Sequence, residues 1–226
     1  MILCVGTYVD PNEARMKELL YCLRKNIANP HLTEIHVALE DDDAQYLPEH
    51  TALLEIPKVN WFVRSEAVIG ARGTRFTDRR MRFTDWFVRI DAMDHKEPVI
   101  IANSDIYFDD TIRMLTPEYL RNRFVCLSRR HIGIDETGDR PLDESAICAQ
   151  DAWVFMPPLK ATAPLDFTTG CPGCDNRLVH EMDAAGYEVV NPSISVHAFH
   201  VHSSAVRRYG PAVPGPHKLI APSRIK

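Results

Sequence analysis

The segment "PVIIANSDIYFDD", residues 98 to 110, joins a buried strand to a group of acidic residues. The run "VIIA" is apolar and rich in β-branched residues, which is typical of a strand buried on both faces of a parallel sheet. Asn103, Ser104 and Asp105 follow it directly. In an open α/β sheet, ligands bind outside the carboxyl ends of the strands. The segment therefore predicts a buried strand that ends at Asp105 and presents polar side chains to a ligand.

Around this segment the chain alternates strands and helices, which predicts an α/β fold. Strands are expected at residues 2–9, 33–40, 52–57, 123–128, 152–157 and 193–202. Helices are expected at residues 12–30, 74–95, 111–122 and 175–186. In the first helix, Asn12 is placed to cap the start and Asn29-Pro30 to end it. We predict one domain with a mostly parallel central sheet flanked by helices.

The composition is that of a domain able to bury a large core, since 45% of the 226 residues are hydrophobic and 25% charged. The net charge of −5 argues against a nucleic-acid-binding surface, which is usually basic. No apolar run approaches the roughly 20 residues of a membrane helix, and the N-terminus lacks signal-peptide features. Cys4, Cys22, Cys126 and Cys148 lie in apolar segments, the pattern of buried thiols in a reducing compartment. We expect a cytoplasmic protein.

The acids at the strand end suggest a cation site. Asn103 and Asp105 occupy alternate strand positions and should point to the same side, with Ser104 on the other. Two oxygen-bearing side chains on one face suit a hard divalent cation, which can neutralise a diphosphate. The alternative is that Asp105 begins a turn and that Asp109 and Asp110 cap the next helix. We favour the cation site for Asp105 and the caps for the other two.

The segment "IIANSDIYFDDTI", residues 100–112, resembles the central motif of GT-A-fold glycosyltransferases, in which a strand ends in Asp-x-Asp and holds Mn²⁺ or Mg²⁺ against a nucleotide-sugar diphosphate. The resemblance puts Asn103 at the first acidic position and Asp105 at the second. Asn103 departs from the motif, because an amide is a weaker metal ligand than a carboxylate; it could instead hydrogen-bond the ribose or the sugar. "GCPGCDNRLVHEMDAAGYEVVNPSISVHAFHVHSS", residues 170–204, resembles the acceptor-binding half of that family.

The resemblance implies transfer of a sugar from a UDP- or GDP-sugar to the hydroxyl of a glycan or another acceptor, assisted by Mn²⁺ or Mg²⁺. It implies a domain at 1–209, with a nucleotide-sugar half at 1–110 and an acceptor half at 111–209. The Pro-rich basic tail at 210–226 should lie extended or be partly disordered. No nucleic-acid partner is expected, and the sequence does not decide the oligomeric state.

Asp175 is the candidate general base. An inverting transfer needs a carboxylate that takes the acceptor proton, and the resemblance places such an acid at the start of the helix after "CPGC". The alternative is that Asp175 is an N-cap, in which case a retaining mechanism stays open. Asp151 is the second candidate, its alternative being a turn before a strand. Asn176 and Trp153 are expected to contact the acceptor.

Late in the chain, His200 and His202 share one face of a predicted strand, whereas His197 faces the other way. Two imidazoles on one face can ligate a metal, and the resemblance implies a late histidine as an additional ligand. We predict His202, at the strand's end, as a metal ligand beside Asp105, and His200 at a phosphate. The alternative is that both are structural.

Arginines before the central strand are candidates for the diphosphate, because a guanidinium pairs bidentately with phosphate oxygens. Arg75, in "RGTRFTDRR", is the first choice, and its alternative is a solvated helix face. A second basic cluster at 129–131 opens a polar loop and could meet an anionic substrate or lie on the surface. The residues expected to bind the nucleotide sugar are Thr7, Arg75, Asn103, Ser104 and Asp105.

The "CPGC" pair, Cys171 and Cys174, is compatible with a redox or zinc half-site. We interpret its Pro-Gly as a tight loop that delivers Asp175 and Asn176. Two other functions remain as alternatives. A sugar nucleotidyltransferase would resemble a Gly-rich N-terminal loop followed by Lys, which "VGTYVDPNEAR" lacks. A non-catalytic nucleotide- or sugar-binding module is favoured by the amide of Asn103.

Overall fold

The computed structural model describes residues 1–40, 48–63, 80–134, 141–142, 146–160, 165–204, 206 and 211–225. Its first half contains β1 (Ile2–Thr7), α1 (Glu13–Ala28), β2 (Glu34–Leu39), α2 (Pro48–Leu54), β3 (Val59–Val63), α3 (Phe83–Ala92), β4 (Val99–Ala102) and β5 (Ile106–Phe108). A 3-10 helix over Asp110–Met114 follows. The second half contains β6 (Arg123–Ile132), β7 (Gln150–Phe155), α4 (Cys174–Ala184), β8 (Glu188–Val190) and β9 (Ala198–Val201).

The strands form one mixed sheet, which confirms the predicted α/β fold. Their order is β3-β2-β1-β4-β7-β6-β9-β5, with β8 paired to β6. β1, β2, β3 and β4 run parallel to one another. β7 is antiparallel to both β4 and β6, and β9 is parallel to β6. The end of β9 therefore lies at the same edge of the sheet as the carboxyl ends of β1 and β4.

Helix α1 has the predicted bounds. The Asn12 side chain accepts a hydrogen bond from the Arg15 backbone N–H at 3.1 Å, and Asn29 forms the C-cap. The buried face includes Leu19, Leu20 and Leu23 and packs on the sheet. Burying three leucines contributes on the order of 1.5–3 kcal/mol each. The start of α1 lies near the carboxyl end of β1, so the helix carries Arg15 to that edge.

Two hydrophobic clusters cover the two faces of the sheet. The first includes Leu3, Val37 and Ile100 together with residues of α1. The second joins aromatic residues of α3 to the opposite face: Phe83 stands edge-on to Trp153, with ring centroids 4.9 Å apart. Strand side chains alternate between the faces, so this packing fixes which residues of each strand end can reach the carboxyl edge.

Three sequence-based assignments are wrong in their type or bounds. Residues 52–57, predicted as a strand, contain the last three residues of α2 and the turn that follows, and the third strand is Val59–Val63. A short apolar run does not distinguish helix from strand, and Pro48 suits the first turn of a helix. The central strand ends at Ala102, and residues 103–105 form a turn. Cys148, predicted to be buried, is exposed.

Other bounds differ less. The helix predicted at 74–95 begins at Phe83, its first six residues lying outside the described ranges. The helix predicted at 111–122 is only the short 3-10 turn, whose cap is Asp109, as expected: its side chain accepts from the Thr111 N–H at 3.0 Å. The short strands β5 and β8 were not predicted.

The tail at 211–225 is extended and held by backbone hydrogen bonds. Val213 N–H donates to the Pro172 carbonyl at 2.9 Å, and Ser223 N–H donates to the Asn191 carbonyl at 2.7 Å. Val213 is buried against the second hydrophobic cluster. Among the described residues, no helix combines the length and apolar character that crossing a bilayer requires.

Candidate active site

A cleft of about 780 Å³ opens at the carboxyl edge of the parallel strands. This volume is in the range of small-molecule sites. The turn after β4, the start of β7, the loop before α4 and the end of β9 all contribute to its walls. The predicted site residues that line it are Asn103, Ser104, Asp105, Asp151, Asp175, His200 and His202. Side chains from both halves of the sequence therefore meet in one cleft.

Asp105 is the centre of a buried polar network on one side of the cleft. Its Oδ2 accepts a hydrogen bond from Arg15 Nη2 at 2.6 Å and lies 3.1 Å from His200 Nε2 and 3.4 Å from His202 Nδ1. Burial by itself would raise the pKa of Asp105. The charges and hydrogen bonds of His200, His202 and Arg15 outweigh it and hold that pKa well below its usual range. Asp105 is a carboxylate.

Arg15 and Glu18 belong to this network, and sequence reasoning missed both. Arg15 Nη1 donates to Glu18 Oε2 at 3.0 Å, and Glu18 Oε1 accepts from the backbone N–H groups of Ser203 and Ser204 at 2.6 and 2.7 Å. The end of β9 is thereby tied to α1. A signal was present in the sequence, because Arg15 is spaced four residues from Leu19 and so falls on the buried face of the helix.

The hydrogen bonds of His202 fix the orientation of its ring. Nε2 lies 2.7 Å from the Val206 carbonyl oxygen, which can only accept, so Nε2 carries a hydrogen, and Nδ1 donates to Asp105 only when it is protonated as well. Nδ1 is left facing Asp105. A ring held by a backbone carbonyl in this way is the usual arrangement of a metal-binding histidine. His200 approaches Asp105 through Nε2, and its Nδ1 lies 3.0 Å from Nδ1 of His131.

The donor set of Asp105, His200 and His202 fits a divalent cation. One ligand atom from each lies within 4.8 Å of the others. A carboxylate with two imidazoles is a donor set used for transition ions. Arg15 competes with a cation, because its guanidinium already neutralises Oδ2 of Asp105. The site thus has two sources of positive charge for an anionic ligand, the arginine in place and an ion that the three ligands can hold.

Asn103 does not point to the same place as Asp105, contrary to prediction. Its Nδ2 donates to Asp151 Oδ1 at 2.7 Å, and Arg129 Nη1 donates to Asp151 Oδ2 at 2.9 Å. The expectation assumed strand alternation through residue 105, but the strand has already ended at Ala102. Asn103 and Asp151 therefore form a second polar group in the cleft, with Arg129 from the predicted basic cluster as its cation.

Asn103→Asp tests whether the position accepts the missing acid. The new carboxylate would face Asp151 at hydrogen-bond distance, and two carboxylates that close cannot both ionise without cost. We expect a loss of about 1–3 kcal/mol of unfolding free energy at pH 7.5 and a smaller loss at pH 5, where the pair can share a proton. Urea unfolding at both pH values measures this. Asn103→Ala loses only the hydrogen bond, so its loss of unfolding free energy should be the same at pH 7.5 and pH 5. If Asn103→Asp also loses the same amount at the two pH values, the repulsion between the carboxylates is contradicted.

Asp175 also lines the cleft. The loop before it turns through Gly173, whose φ of +79° is a left-handed conformation that favours glycine, and α4 then begins at Cys174. Gly173 is the N-cap residue, so Asp175 is not the cap. Burial, followed by the charge of Asp151, raises the pKa of Asp175 to about 6 against the hydrogen bonds of backbone N–H groups such as that of Gln150. A carboxyl group with this pKa can exchange protons near neutral pH.

The remaining predicted residues lie away from the cleft or outside the described ranges. Thr7 is buried with its Oγ1 3.2 Å from His50 Nε2. Asn176 donates from Nδ2 to the Cys148 carbonyl at 3.2 Å. Trp153 is wrong as an acceptor contact, because it is fully buried in the core. Arg75 lies outside the described residues.

Solved structures with a similar fold include nucleotide-sugar-dependent enzymes. The mannosyltransferase PcManGT from Pyrobaculum calidifontis, in complex with GDP-Man and Mn²⁺, matches with a TM-score of 0.54 at 14% identity over 92% of this chain and 58% of that one. TarS from S. aureus, residues 1–349 in complex with UDP-GlcNAc, matches with a TM-score of 0.50 at 10% identity over 92% of this chain and 61% of that one. This chain has a GT-A-like fold.

At this identity the likeness establishes the GT-A-like fold and nothing further, and the chain spans about three fifths of each of those two chains. A 4-diphosphocytidyl-2C-methyl-D-erythritol synthase from Anaerococcus prevotii has a TM-score of 0.42 at 14% identity over 84% of this chain and 86% of that one, too weak a likeness to support an argument. No family model and no curated protein sequence matches the chain.

Proposed function

We propose that the chain is a glycosyltransferase that binds a nucleotide-diphosphate sugar in the cleft and transfers the sugar to an acceptor hydroxyl. The observation that carries the proposal is the presence in one cleft of Arg15, a candidate cation-binding set at Asp105 and a carboxyl group of pKa about 6, Asp175. A leaving diphosphate needs positive charge, and an attacking hydroxyl needs a base. The GT-A-like fold supports this use of the two groups.

The diphosphate is assigned to the side of the cleft that holds Arg15, His200 and His202. These three side chains converge on Asp105 and line the cleft, so an anion there meets a guanidinium that is already oriented and two imidazoles that can hold a cation. Preorganised donors stabilise developing charge without reorganising during the reaction. Asp105, His200 and His202 would hold Mn²⁺ or Mg²⁺, and such an ion would supply charge neutralisation for the diphosphate.

Asp175 is assigned as the general base. With a pKa of about 6 it is ionised at pH 7.5, yet basic enough to take a proton from a hydroxyl as that oxygen attacks the anomeric carbon. Asp151 is already committed to Asn103 and Arg129, so it is a positioning residue in this proposal and not the base. A carboxylate base that activates the acceptor hydroxyl for direct attack on the anomeric carbon gives inversion there.

A panel of UDP- and GDP-sugars, assayed for release of the free nucleoside diphosphate, tests the proposal. We expect at least one donor to be hydrolysed slowly without acceptor and faster with a glycan acceptor. Chelation with EDTA and addition of Mn²⁺ measure the contribution of the cation. Release unaffected by EDTA would leave Arg15 as the cation that serves the diphosphate. No release with any donor, under all of these conditions, would contradict a transferase.

A non-catalytic nucleotide-sugar-binding module is the second candidate. It is favoured by the engagement of Asn103 with Asp151, because the first position of the acidic motif then offers no metal ligand. Calorimetry with UDP and GDP, with and without Mn²⁺, distinguishes the two candidates when combined with the release assay. Binding of a nucleotide without turnover of any sugar conjugate favours the module.

A further inference from the structure

A second cluster of ligand-type side chains lies at the opposite edge of the sheet. Glu34 and His36 are in the first half of β2, and His95 is in the connection between α3 and β4. The cleft is at the carboxyl ends of the parallel strands, whereas Glu34 begins its strand. No residue of the cluster lines the cleft. It therefore needs an explanation independent of the proposed transferase.

The distances within the cluster match those between ligands of a small ion. His36 Nε2 lies 3.0 Å from Glu34 Oε1, and His95 Nε2 lies 3.4 Å from Glu34 Oε2. In a tetrahedral zinc site with bonds of about 2.0–2.2 Å, neighbouring ligand atoms are about 3.4 Å apart. One ligand atom from each of the three residues lies within 4.8 Å of the others.

The ring nitrogens of His36 form no hydrogen bond with the described residues. The residue is 5% exposed, and neither Nδ1 nor Nε2 has a hydrogen-bond partner among the described residues. The 3.0 Å contact with Glu34 is thus short in distance but not aligned as a hydrogen bond. Leaving such a buried polar group unsatisfied costs about 1–3 kcal/mol. Two ligand atoms that are close but not hydrogen-bonded to each other, such as His36 Nε2 and Glu34 Oε1, are expected where both coordinate one ion.

The neighbours of the cluster also suit a metal. Asn60 Nδ2 donates to Glu34 Oε1 at 2.5 Å and fixes the carboxylate. Hydrogen bonds that orient the ligands in this way are a regular feature of metal sites.

We propose that Glu34, His36 and His95 form a binding site for a borderline divalent ion, with Zn²⁺ as the best match to two imidazoles and one carboxylate. The fourth position is open to water. The ion ties the connection before β4 to the amino end of β2. Since β4 leads directly to Asn103 and Asp105, the site anchors the strand that carries one wall of the cleft from its far end.

Zinc titration of the metal-free full chain tests this, with calorimetry for the number of sites and Co²⁺ absorption for a tetrahedral ligand set. We expect His95→Gln and Glu34→Gln each to remove one equivalent of zinc, or to weaken it by about a hundredfold. His31→Gln is the matched control, because His31 is similarly exposed and paired to an acid but belongs to neither cluster. A hundredfold excess of Zn²⁺ over Kd should raise Tm by about 5 °C or more in the wild type and not in His95→Gln.

The cleft has its own candidate ligands, so His202→Gln identifies which site binds. Under the proposal His202→Gln keeps the equivalent that His95→Gln loses. Zinc binding that is unchanged in His95→Gln and Glu34→Gln, or that disappears only in His202→Gln, would overturn the proposal. The proposed transferase activity is untouched by either of those two results, because the release assay reads the other edge of the sheet.

Discussion

Asp175→Asn should reduce turnover about a thousandfold while the Kd for the nucleotide sugar stays within about threefold of the wild type. The amide keeps the shape of the side chain but cannot take a proton, and general-base catalysis contributes about 10²- to 10⁴-fold to a rate. Among the described residues, Asp175 forms no hydrogen bond with Arg15, Asp105, His200 or His202, so the contacts proposed for the diphosphate remain. The measurements are single-turnover transfer and calorimetric binding of the same donor.

The pH profile gives a second reading of the same residue. In the wild type, kcat/KM should rise with pH and level off above about pH 6, because only the ionised carboxylate acts as a base and the pKa of Asp175 is about 6. The contribution of Asp175 to the free energy of unfolding changes with pH in the opposite direction. Folding raises this pKa above its unfolded value of about 3.9, so folding is disfavoured progressively as pH rises from 4 to 6. Asp175→Asn should therefore be no less stable than the wild type at pH 7.5.

Asp183→Asn is the control on the same helix. Asp183 is exposed and paired to Lys218, and it is remote from the cleft lining. It should change neither the rate nor the pH profile. Full activity of Asp175→Asn, or a profile without an inflection near pH 6, would remove Asp175 as the base and reopen a retaining mechanism.

The sequence predicted those parts of the fold whose signals are local. Helix α1 is bounded by Asn12 and Asn29, and both act within one turn of themselves, so the pattern sufficed. The strand predicted at 52–57 was wrong because a short apolar run is compatible with a helix and with a strand, and packing decides between them. The predicted C-terminal end of β4 was wrong for a similar reason. The turn at Asn103 is stabilised by its contact with Asp151, 48 residues away in the sequence.

Sequence reasoning selected cleft residues that lie near the carboxyl end of a predicted strand or at the start of a predicted helix. It missed residues that are held by a partner far away in the sequence. Asp105, Asp175 and His202, predicted from a strand end, a helix start and the GT-A resemblance, all line the cleft, and their roles stay predictions. Arg15 was missed because its partner lies 90 residues along the chain, and nothing in the sequence states that pairing. Helical spacing alone placed it on a buried face, and a charge on such a face needs a partner.

Arg15 changes what is expected of Asp105→Asn. Viewed from sequence, the substitution should abolish nucleotide binding with little effect on Tm. In the structure Asp105 is 7% exposed and neutralises a buried guanidinium. Removing one partner of a buried ion pair costs about 3–5 kcal/mol, because the other charge stays buried without compensation. We therefore expect both effects together, loss of donor binding and a large loss of unfolding free energy, measured by calorimetry and by urea unfolding.

The double variant Arg15→Met/Asp105→Asn separates stability from binding. It removes both charges, so it should recover about 1–3 kcal/mol relative to additivity of the single variants. Donor binding should not recover, because the double variant lacks both the carboxylate and the arginine that serve the diphosphate. Asp110→Asn, an exposed acid of the same segment, is the control and should alter neither quantity. Additive losses of stability would mean that Arg15 and Asp105 do not depend on each other.

The free energy of unfolding measured at low pH tests the pair of Arg15 and Asp105 without substituting Arg15. The pKa of Asp105 is held far below its unfolded value, so its contribution is complete above about pH 4 and is lost as pH falls toward the folded pKa. The wild type should lose this stability at low pH, and Asp105→Asn should lose less over the same range. In the proposal this buried carboxylate holds Arg15 at the cleft and, with His200 and His202, can hold a cation for the diphosphate. If donor binding survives in Asp105→Asn once the protein is shown to be folded, the diphosphate does not depend on this network, and the network only fastens α1 to β9.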